Sequence, residues 1–434
     1  MIPYLGRYLT ALLVVLANAR ITLAGDLYPQ GDIFSFTFYS TKNSDALASL
    51  TNGATAIGPY YGSQATPLSN AVAWNTRLVY KVEPPSMARK EHMDRDALGF
   101  IWPSDTTISN EVAAIVNAVK TNASIAIWDV EPEELRFYKP AEMNYLRVVY
   151  AAIHANDSSN RPVCMYQQNN RTAAQLSATM TNLDICLKGT YVNTITDDAG
   201  VACFTNRIWA RWSMQQAVDT CKLYNTNAKP WIGLWMAEDP PAGYTTQDVT
   251  NWCRHDAYMG LIMGGKGIQI WSGSRGRANF SDTYFDAYLG GYLSVAKELN
   301  GPLNLAPVFL YGQPQTNVTM AITSGPKQLD LAYQKSTNSY PPVTFLAVQH
   351  EGTNYLFAVN SAEMTVTARF SGLPSAMRTD LFQSDDSRTP DGAFKVTFAP
   401  LAVKGWRFAP MGDAVPLNSL NNQGRSKDES IRLN

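Results

Sequence analysis

The chain has 434 residues, 45% of them hydrophobic and 16% charged, and a net charge of −1. This balance excludes an intrinsically disordered chain and a basic nucleic-acid surface, and the length suits a barrel with a smaller second module. The 10 Trp and 22 Tyr supply rings that are apolar on the face and polar at the tip, which suits sugar stacking as well as plain cores.

At the N-terminus, Arg7 precedes the apolar run Tyr8 to Ala17, and small residues follow at Ala17-Asn-Ala19 and Thr22-Leu-Ala24. This is the pattern of a secretory signal, and no later stretch is long and apolar enough for a membrane helix. Residues 1–24 are therefore expected to be a signal peptide and the mature protein to be secreted or periplasmic. The five cysteines are Cys164, Cys186, Cys203, Cys221 and Cys253. Their odd count leaves at least one free thiol, Cys203 and Cys221 are open to pairing, and the spacings match no zinc pattern. With four His in the chain, no metal site and no cofactor is expected.

Strand-like and helix-like runs then alternate. Phe34 to Tyr39 is the first predicted strand, Ala54 to Tyr61 the second, and Arg77 to Val82 the third, with Phe100-Ile-Trp102 competing for the third place. A helix over Ser109 to Val119 leads to the fourth strand, Ile125 to Trp128. The helix Ala141 to Ala155 precedes a fifth strand, Pro162 to Gln167. The short helix Ala173 to Met180 precedes a sixth, Asp184 to Lys188, which runs on to Tyr191. The helix Arg207 to Tyr224 precedes a seventh strand, Pro230 to Trp235. The helix Val249 to Met263 precedes the eighth, Gly267 to Trp271, and Asp282 to Leu299 closes the series. Eight strands with intervening helices predict an α/β fold, a (β/α)8 TIM barrel over residues 25–304. From about residue 305 the texture changes to short alternating runs, among them Val308 to Tyr311, Val343 to Gln349, Tyr355 to Val359 and Val403 to Phe408. They predict a small all-β antiparallel sandwich over 305–410. The polar tail 411–434 is expected to be disordered.

Chemistry concentrates at the end of the fourth strand, Ala123-Ser-Ile-Ala-Ile-Trp-Asp-Val-Glu-Pro-Glu-Glu134. A strand buried on both faces has no use for carboxylates in its middle, but its C-terminal mouth is where barrel enzymes place catalytic groups. Pro132 fixes the loop directly after Glu131. Glu133 and Glu134 read as the solvated acidic start of a helix. The seventh strand ends in a second acidic position, Glu238. A closed barrel turns the ends of strands four and seven toward one mouth, where two carboxylates suit glycoside hydrolysis with retention. One must stay protonated while the other is ionised, which requires different surroundings.

Trp128-Asp-Val-Glu-Pro132 resembles the fourth-strand signature of the clan A glycoside hydrolases. There an Asn-Glu-Pro follows a Trp-containing strand and the Glu is the general acid/base. Glu131-Pro132 matches, and Val130 stands where the clan usually has Asn. The resemblance implies Glu131 as acid/base, Glu238 as nucleophile, Trp271 as a sugar platform and Tyr191 as a tyrosine contacting the nucleophile. It also implies that the C-terminal sandwich is the accessory domain such enzymes carry.

Trp235 beside Trp271 is a candidate wall for the sugar. Asp129 is a candidate acid in its own right, or orients Glu131 through like charge. Tyr60, Tyr61, Tyr166, Gln167 and Asn193 end strands and are candidate sugar contacts, Lys81 and Glu83 a candidate structural ion pair. Arg275 and Arg277, past strand eight, are loop charges or receivers of an anionic, sulfated glycan. There is no Gly-x-Ser-x-Gly elbow, no His-Glu-x-x-His and no phosphate loop.

These readings converge on a secreted retaining glycoside hydrolase. A variant mechanism uses Asp129 or Glu131 as the acid with substrate assistance. The alternative from another class is a non-catalytic barrel that binds polysaccharide at the cell surface. The expected partner is a carbohydrate, with no nucleic acid and no membrane span.

Overall fold

The computed structural model describes residues 33–409, apart from positions 91, 384, 385 and 390. The expected signal peptide (1–24) and polar tail (411–434) lie outside the described residues. Eight parallel strands run in chain order: β1 (Ser35–Phe38), β2 (Ala56–Ile57), β3 (Arg77–Val82), β4 (Ile125–Val130), β5 (Val163–Gln167), β6 (Ile185–Gly189), β7 (Lys229–Trp235) and β8 (Gly267–Trp271). Each pairs with its neighbour from β2 round to β8, and β8 pairs with β1. The ring is completed where the Thr55 N–H donates to Phe36 O at 3.0 Å and the Ser40 N–H to Pro59 O at 2.8 Å.

The two-residue strand period decides what fills the barrel. Val79, Ile127, Cys164, Tyr166, Ile185, Leu187 and Trp231 form an interior cluster separate from the larger core under the helices. The opposite parity points outward, so Trp128 packs under the helix layer and its indole N–H donates to Asp157 Oδ2 at 2.8 Å. Two glycines make room for the largest interior side chains. A Cβ on Gly267 would stand 2.1 Å from the Trp231 ring, and one on Gly189 2.4 Å from the Tyr166 hydroxyl.

The outer helices start where the sequence supplies caps. Ser104 accepts the Thr107 N–H ahead of Asp105–Val119, and capping boxes at Thr172/Gln175 and Thr245/Asp248 open Ala173–Met180 and Thr246–Ile262. Two helices without a capping side-chain bond, Asn43–Thr51 and Ala65–Ala73, were not anticipated. The expected second strand shrinks to two residues between them, and Phe100 to Trp102 is loop rather than strand.

After the helix Asp282–Asn300 the chain builds β9 (Gln313–Pro314), β10 (Thr319–Ser324), β11 (Leu329–Tyr333), β12 (Ser336–Tyr340), β13 (Val343–His350), β14 (Thr353–Asn360), β15 (Val366–Ser371), β16 (Ala376–Asp380), β17 (Asp386–Thr389), β18 (Phe394–Phe398) and β19 (Val403–Ala409). The sheet β10-β15-β18 faces the sheet β17-β16-β19-β14-β13-β9 across a shared core that includes Leu356, Phe370, Phe394, Phe398 and Trp406. Val308 to Tyr311, expected as a strand, is part of a helix, Ala306–Tyr311, opened by Pro307. The Lys266 ammonium donates to its last carbonyls, Phe309 O at 2.6 Å and Leu310 O at 3.0 Å, the groups a helix end leaves unpaired.

The sheets are bolted to the barrel by buried polar contacts. Arg207 and Asp256 form a buried ion pair, His255 links Asp256 to the Ser361 hydroxyl at 2.8 and 2.9 Å, and Phe309 packs on Phe357 at 4.5 Å. All five cysteines are buried as free thiols, so Cys203 and Cys221 are not paired. Among the described residues no helix is long and apolar enough to cross a membrane.

Gly267→Ala forces a methyl group into the Trp231 ring in a closed interior. We expect it to lower stability by about 1–3 kcal/mol, read as a shift in the urea midpoint with unchanged slope. A surface change such as Gly290→Ala, where an added Cβ meets nothing within 4 Å, serves as the control.

Candidate active site at the barrel mouth

Strands β3 and β4 pair with Lys81 opposite Asp129. Both lie on the inward parity at the C-terminal end of the sheet, where parallel barrels carry their sites. β4 points Ile127 and Asp129 inward and ends at Val130, and Glu131 and Glu133 follow in the loop beyond it. Lys81 Nζ lies 2.5 Å from Glu131 Oε1 and donates to the Tyr39 hydroxyl at 2.6 Å. The Tyr39 hydroxyl in turn lies 3.5 Å from the same Glu131 oxygen. Glu131 Oε2 accepts the Glu133 N–H at 3.0 Å. Both oxygens of Glu131 are thus held, and its side chain keeps 13% of its exposure.

Asp129 lies beneath, 3% exposed, and accepts from the Cys164 thiol at 3.4 Å. Burial and the neighbouring Glu131 charge push its carboxyl up to about 7, against the pull of Lys81. Glu133 is only partly buried at the surface. Burial, then the charges of Glu131, Asp129 and Glu134, raise its carboxyl well above the usual range. Burial works against the Lys81 ammonium, but Glu131 and Asp129 more than offset it and its pKa stands above the ordinary value.

The loop that carries Glu131 and Glu133 is pinned from behind. The Tyr145 hydroxyl donates to Glu131 O, and the Trp102 ring packs on Tyr145 at 5.9 Å. Arg136 forms ion pairs with Asp96 and with the buried Glu142. Against the upward push of burial, Arg136 and Arg95 hold the Glu142 carboxyl below its ordinary value.

Aromatic rings wall the mouth. Tyr191 stacks on Tyr166 at 5.3 Å and 16° and on Trp271 at 6.3 Å and 27°. Trp235 stands 4.9 Å from Trp271. The Trp271 indole N–H donates to the Tyr61 hydroxyl at 3.0 Å, and Lys81 lies 4.8 Å from the Tyr61 ring centre. Arg277 covers the Trp271 ring at 4.5 Å. Tyr61, 57% exposed, offers its ring to solvent at the rim.

Of the residues singled out in the sequence, the fold brings together Asp129, Glu131, Tyr61, Tyr166, Tyr191, Trp235 and Trp271. The others are held differently. Glu238, in the loop directly after β7, is exposed and has no hydrogen bond or ion pair among the described residues. Tyr60 packs on the outer core, and burial pushes its phenol up to about 12. Gln167 is fully buried on the outward parity and accepts from Arg171 at 2.7 Å. Asn193 is used up between Tyr288 and Arg207. Arg275 is shared by Asp45, Asp282 and Asp286, whereas Arg277 donates to the Ser272 hydroxyl at 3.1 Å and has no carboxylate partner among the described residues. Lys81 pairs with Glu131 rather than Glu83, whose carboxylate accepts the Arg89 N–H at 2.8 Å.

Sequence reasoning missed Lys81, Tyr39 and Glu133 as members of the site. Glu133 lies in the loop past β4, where no strand period reaches it, and is tied to the site by its N–H to Glu131. Among the described residues no group of three or more His, Cys, Asp or Glu side chains is arranged to hold a metal ion.

Solved structures of similar fold are glycoside hydrolases. One described simply as a glycoside hydrolase gives a TM-score of 0.54 at 11% identity, over 88% of this chain and 93% of that one. A GH27 β-L-arabinopyranosidase from Geobacillus stearothermophilus gives 0.51 at 9% identity, over 91% and 100%. An α-amylase from Geobacillus thermoleovorans complexed with acarbose gives 0.50 at 9% identity, over 88% and 99%. No family model matches the chain and no curated protein matches its sequence. At these identities the likeness is one of fold.

The raised Asp129 carboxyl has a consequence for stability. An unfolded Asp titrates at about 3.9, so between about pH 4 and about pH 7 the folded state binds the extra proton. Stability therefore falls as pH rises through that window, at up to about 1.4 kcal/mol per pH unit. Asp129→Asn removes this term. Urea titrations from pH 4 to 7.5 should show a shallower decline for the variant than for the wild type, and an unchanged slope would contradict the assignment.

Proposed function

We propose that the protein is a glycoside hydrolase whose acid–base chemistry runs on the carboxylates at the end of β4. The observation that carries this reading is a charge imbalance inside an aromatic mouth: three carboxyl groups in one row share a single lysine. Such a set retains protons that an exposed set would lose. Asp129 is too deeply buried to reach a substrate. Glu131, held by Lys81 and the Glu133 N–H, is the ionised member. Glu133, raised and facing the mouth, is the proton donor.

A sugar ring lying against Trp271 and Trp235 presents its glycosidic oxygen to Glu133. Proton transfer to that oxygen accompanies cleavage of the bond to the anomeric carbon. The Glu131 carboxylate meets the positive charge that develops there and forms the glycosyl ester. Water, deprotonated by Glu133, then releases the sugar and restores Glu131. Retention of anomeric configuration follows from the two displacements. Glu131 thus takes the nucleophile's part expected of Glu238, and Glu238 has no step. The N-terminal signal pattern supports export, so the substrate would be met outside the cytoplasm.

The test is hydrolysis of starch, xylan, galactomannan, arabinogalactan and hyaluronan, read as new reducing ends, with product anomers followed by NMR. Glu133→Gln and Glu131→Gln should each lose about 10²–10⁴-fold in turnover, while Glu238→Gln stays within a few fold of the wild type. Full activity in Glu133→Gln, or loss in Glu238→Gln with the fold intact, would refute the assignment.

A further inference from the structure

Beyond Glu133 the loop runs on to Arg136, Phe137 and Tyr138, which line a second depression. Glu134 donates its N–H to Tyr166 O at 3.2 Å. Its carboxylate accepts from the Gln168 amide at 3.0 Å, and its carbonyl accepts from Arg171 at 3.1 Å. Arg136 is anchored inward on Glu142, so Phe137 and Tyr138 are carried outward, ring to ring at 5.2 Å. Tyr138 remains 61% exposed. The groove beside it measures about 410 Å³, and its walls come from the loops after β4 and β5, the helix Ala173–Met180, and Gln334 from the C-terminal sheets.

Gln334 reaches this place because the β11–β12 hairpin folds over the barrel. Tyr333 and Ser336 pair at its end, leaving Gln334 and Lys335 as the two turn residues. Both have positive φ, 52° and 62°. Such turns favour Gly and Asn, and a non-glycine residue there costs on the order of 1–3 kcal/mol unless its surroundings hold it. They do here. The Asp198 carboxylate accepts the Gln334 N–H at 3.1 Å and the Lys335 N–H at 2.7 Å. The Gln334 amide donates to Asn170 O at 2.6 Å, and Tyr333 packs edge-on against Trp209 and Trp212 at 4.5 and 5.1 Å.

The chemistry of the walls points to one kind of ligand. Amide groups of Gln168, Asn170, Gln175 and Gln334 offer donors and acceptors together, beside one exposed aromatic ring. The guanidiniums are already engaged, Arg136 by Asp96 and Glu142 and the buried Arg171 by Gln167 Oε1 at 2.7 Å and Glu134 O at 3.1 Å. Amides and a ring beside guanidiniums turned inward suit an uncharged, hydroxyl-rich chain. We propose that this groove binds further residues of a neutral polysaccharide whose cleaved bond lies in the barrel mouth, so that the protein acts within chains and the C-terminal hairpin is part of its substrate site. The proposal rests on the glycoside hydrolase reading for the mouth.

The test uses the full chain with Tyr138→Ala and Gln334→Ala, singly and together. Both positions are exposed, and folding is checked by circular dichroism and urea midpoint. Kinetics are measured on whichever of starch, xylan, galactomannan and arabinogalactan is cleaved. Affinity electrophoresis in gels containing each of the four polymers reads binding without turnover, using Glu133→Gln as the background. The double variant should raise KM for the polymer about tenfold with kcat within about twofold, a loss near 1.4 kcal/mol in binding. The penalty should shrink as the substrate is shortened to a disaccharide. If the polymer is cleaved with unchanged KM and gel mobility, the groove proposal fails and the hydrolase reading survives. If none is cleaved but one retards the protein in a Tyr138- and Gln334-dependent way, the groove stands and the hydrolase reading falls. If no neutral polymer is cleaved or bound, or only hyaluronan is, the proposal is overturned.

Discussion

The Lys81 ammonium sits between Glu131 and Tyr39 in the mouth of an apolar barrel, with Asp129 below and Glu133 alongside. Carboxylates so placed repel one another and lose hydration, and one cation cannot neutralise three of them. The arrangement therefore divides the row by role. Glu131, in direct contact with the ammonium, takes the negative charge. Asp129 titrates near neutrality because burial opposes its ionisation. Glu133, without a cation of its own, has its carboxyl raised by burial and by the charges of Glu131 and Asp129. A proton donor and a carboxylate in different surroundings, one on each side of the scissile bond, are what retaining glycoside cleavage requires, and the single lysine makes the surroundings of Glu131 and Glu133 different.

That balance depends on the strands. Register places Lys81 opposite Asp129, and the two-residue period keeps Asp129 facing inward. A slip of one residue in β4 would turn Trp128 into the barrel and Asp129 into the helix layer. Glycines at 189 and 267 let Tyr166 and Trp231 fill the interior beneath the site, so the acidic row stands on a packed floor. The Arg136, Glu142 and Tyr145 contacts then fix the loop from behind. Most of the polar contacts in this region serve to hold the row still.

Much of the barrel was legible because its strands are continuous apolar runs separated by amphipathic helices. Asp129 and Glu131 stood out because carboxylates ending such a run need a reason. What failed to read has physical causes. Glu133 looked solvated because β4 ends before it, and only the loop contact of its N–H with Glu131 brings it to the site. Arg275 looked available because nothing in the sequence shows that the loop folds back on the first turns of the next helix, where Asp282 and Asp286 pair with it, and onto Asp45, 230 residues away. The β11–β12 hairpin escaped because its residues, Asp330, Ser336, Thr337, Asn338 and Ser339 among them, are polar on both faces and carry little alternation. Val308 to Tyr311 read as a strand because four apolar residues fit either state, and Pro307 with Lys266 at the far end decides for the helix.

The central claim is that Glu133 is the proton donor of the row, its carboxyl raised by burial and by the charges of Glu131 and Asp129. The most direct measurement is difference infrared spectroscopy of the protonated carboxyl band, comparing wild type with Glu133→Gln and Glu131→Gln from pH 4 to 9. In an Asp129→Asn background, which removes the other raised carboxyl, the account predicts a band that is absent in Glu133→Gln, retained in Glu131→Gln, and titrates well above the ordinary carboxylate range. A Glu133 band already gone by about pH 5, close to the free side chain's value of about 4.3, would contradict the assignment of acid and base.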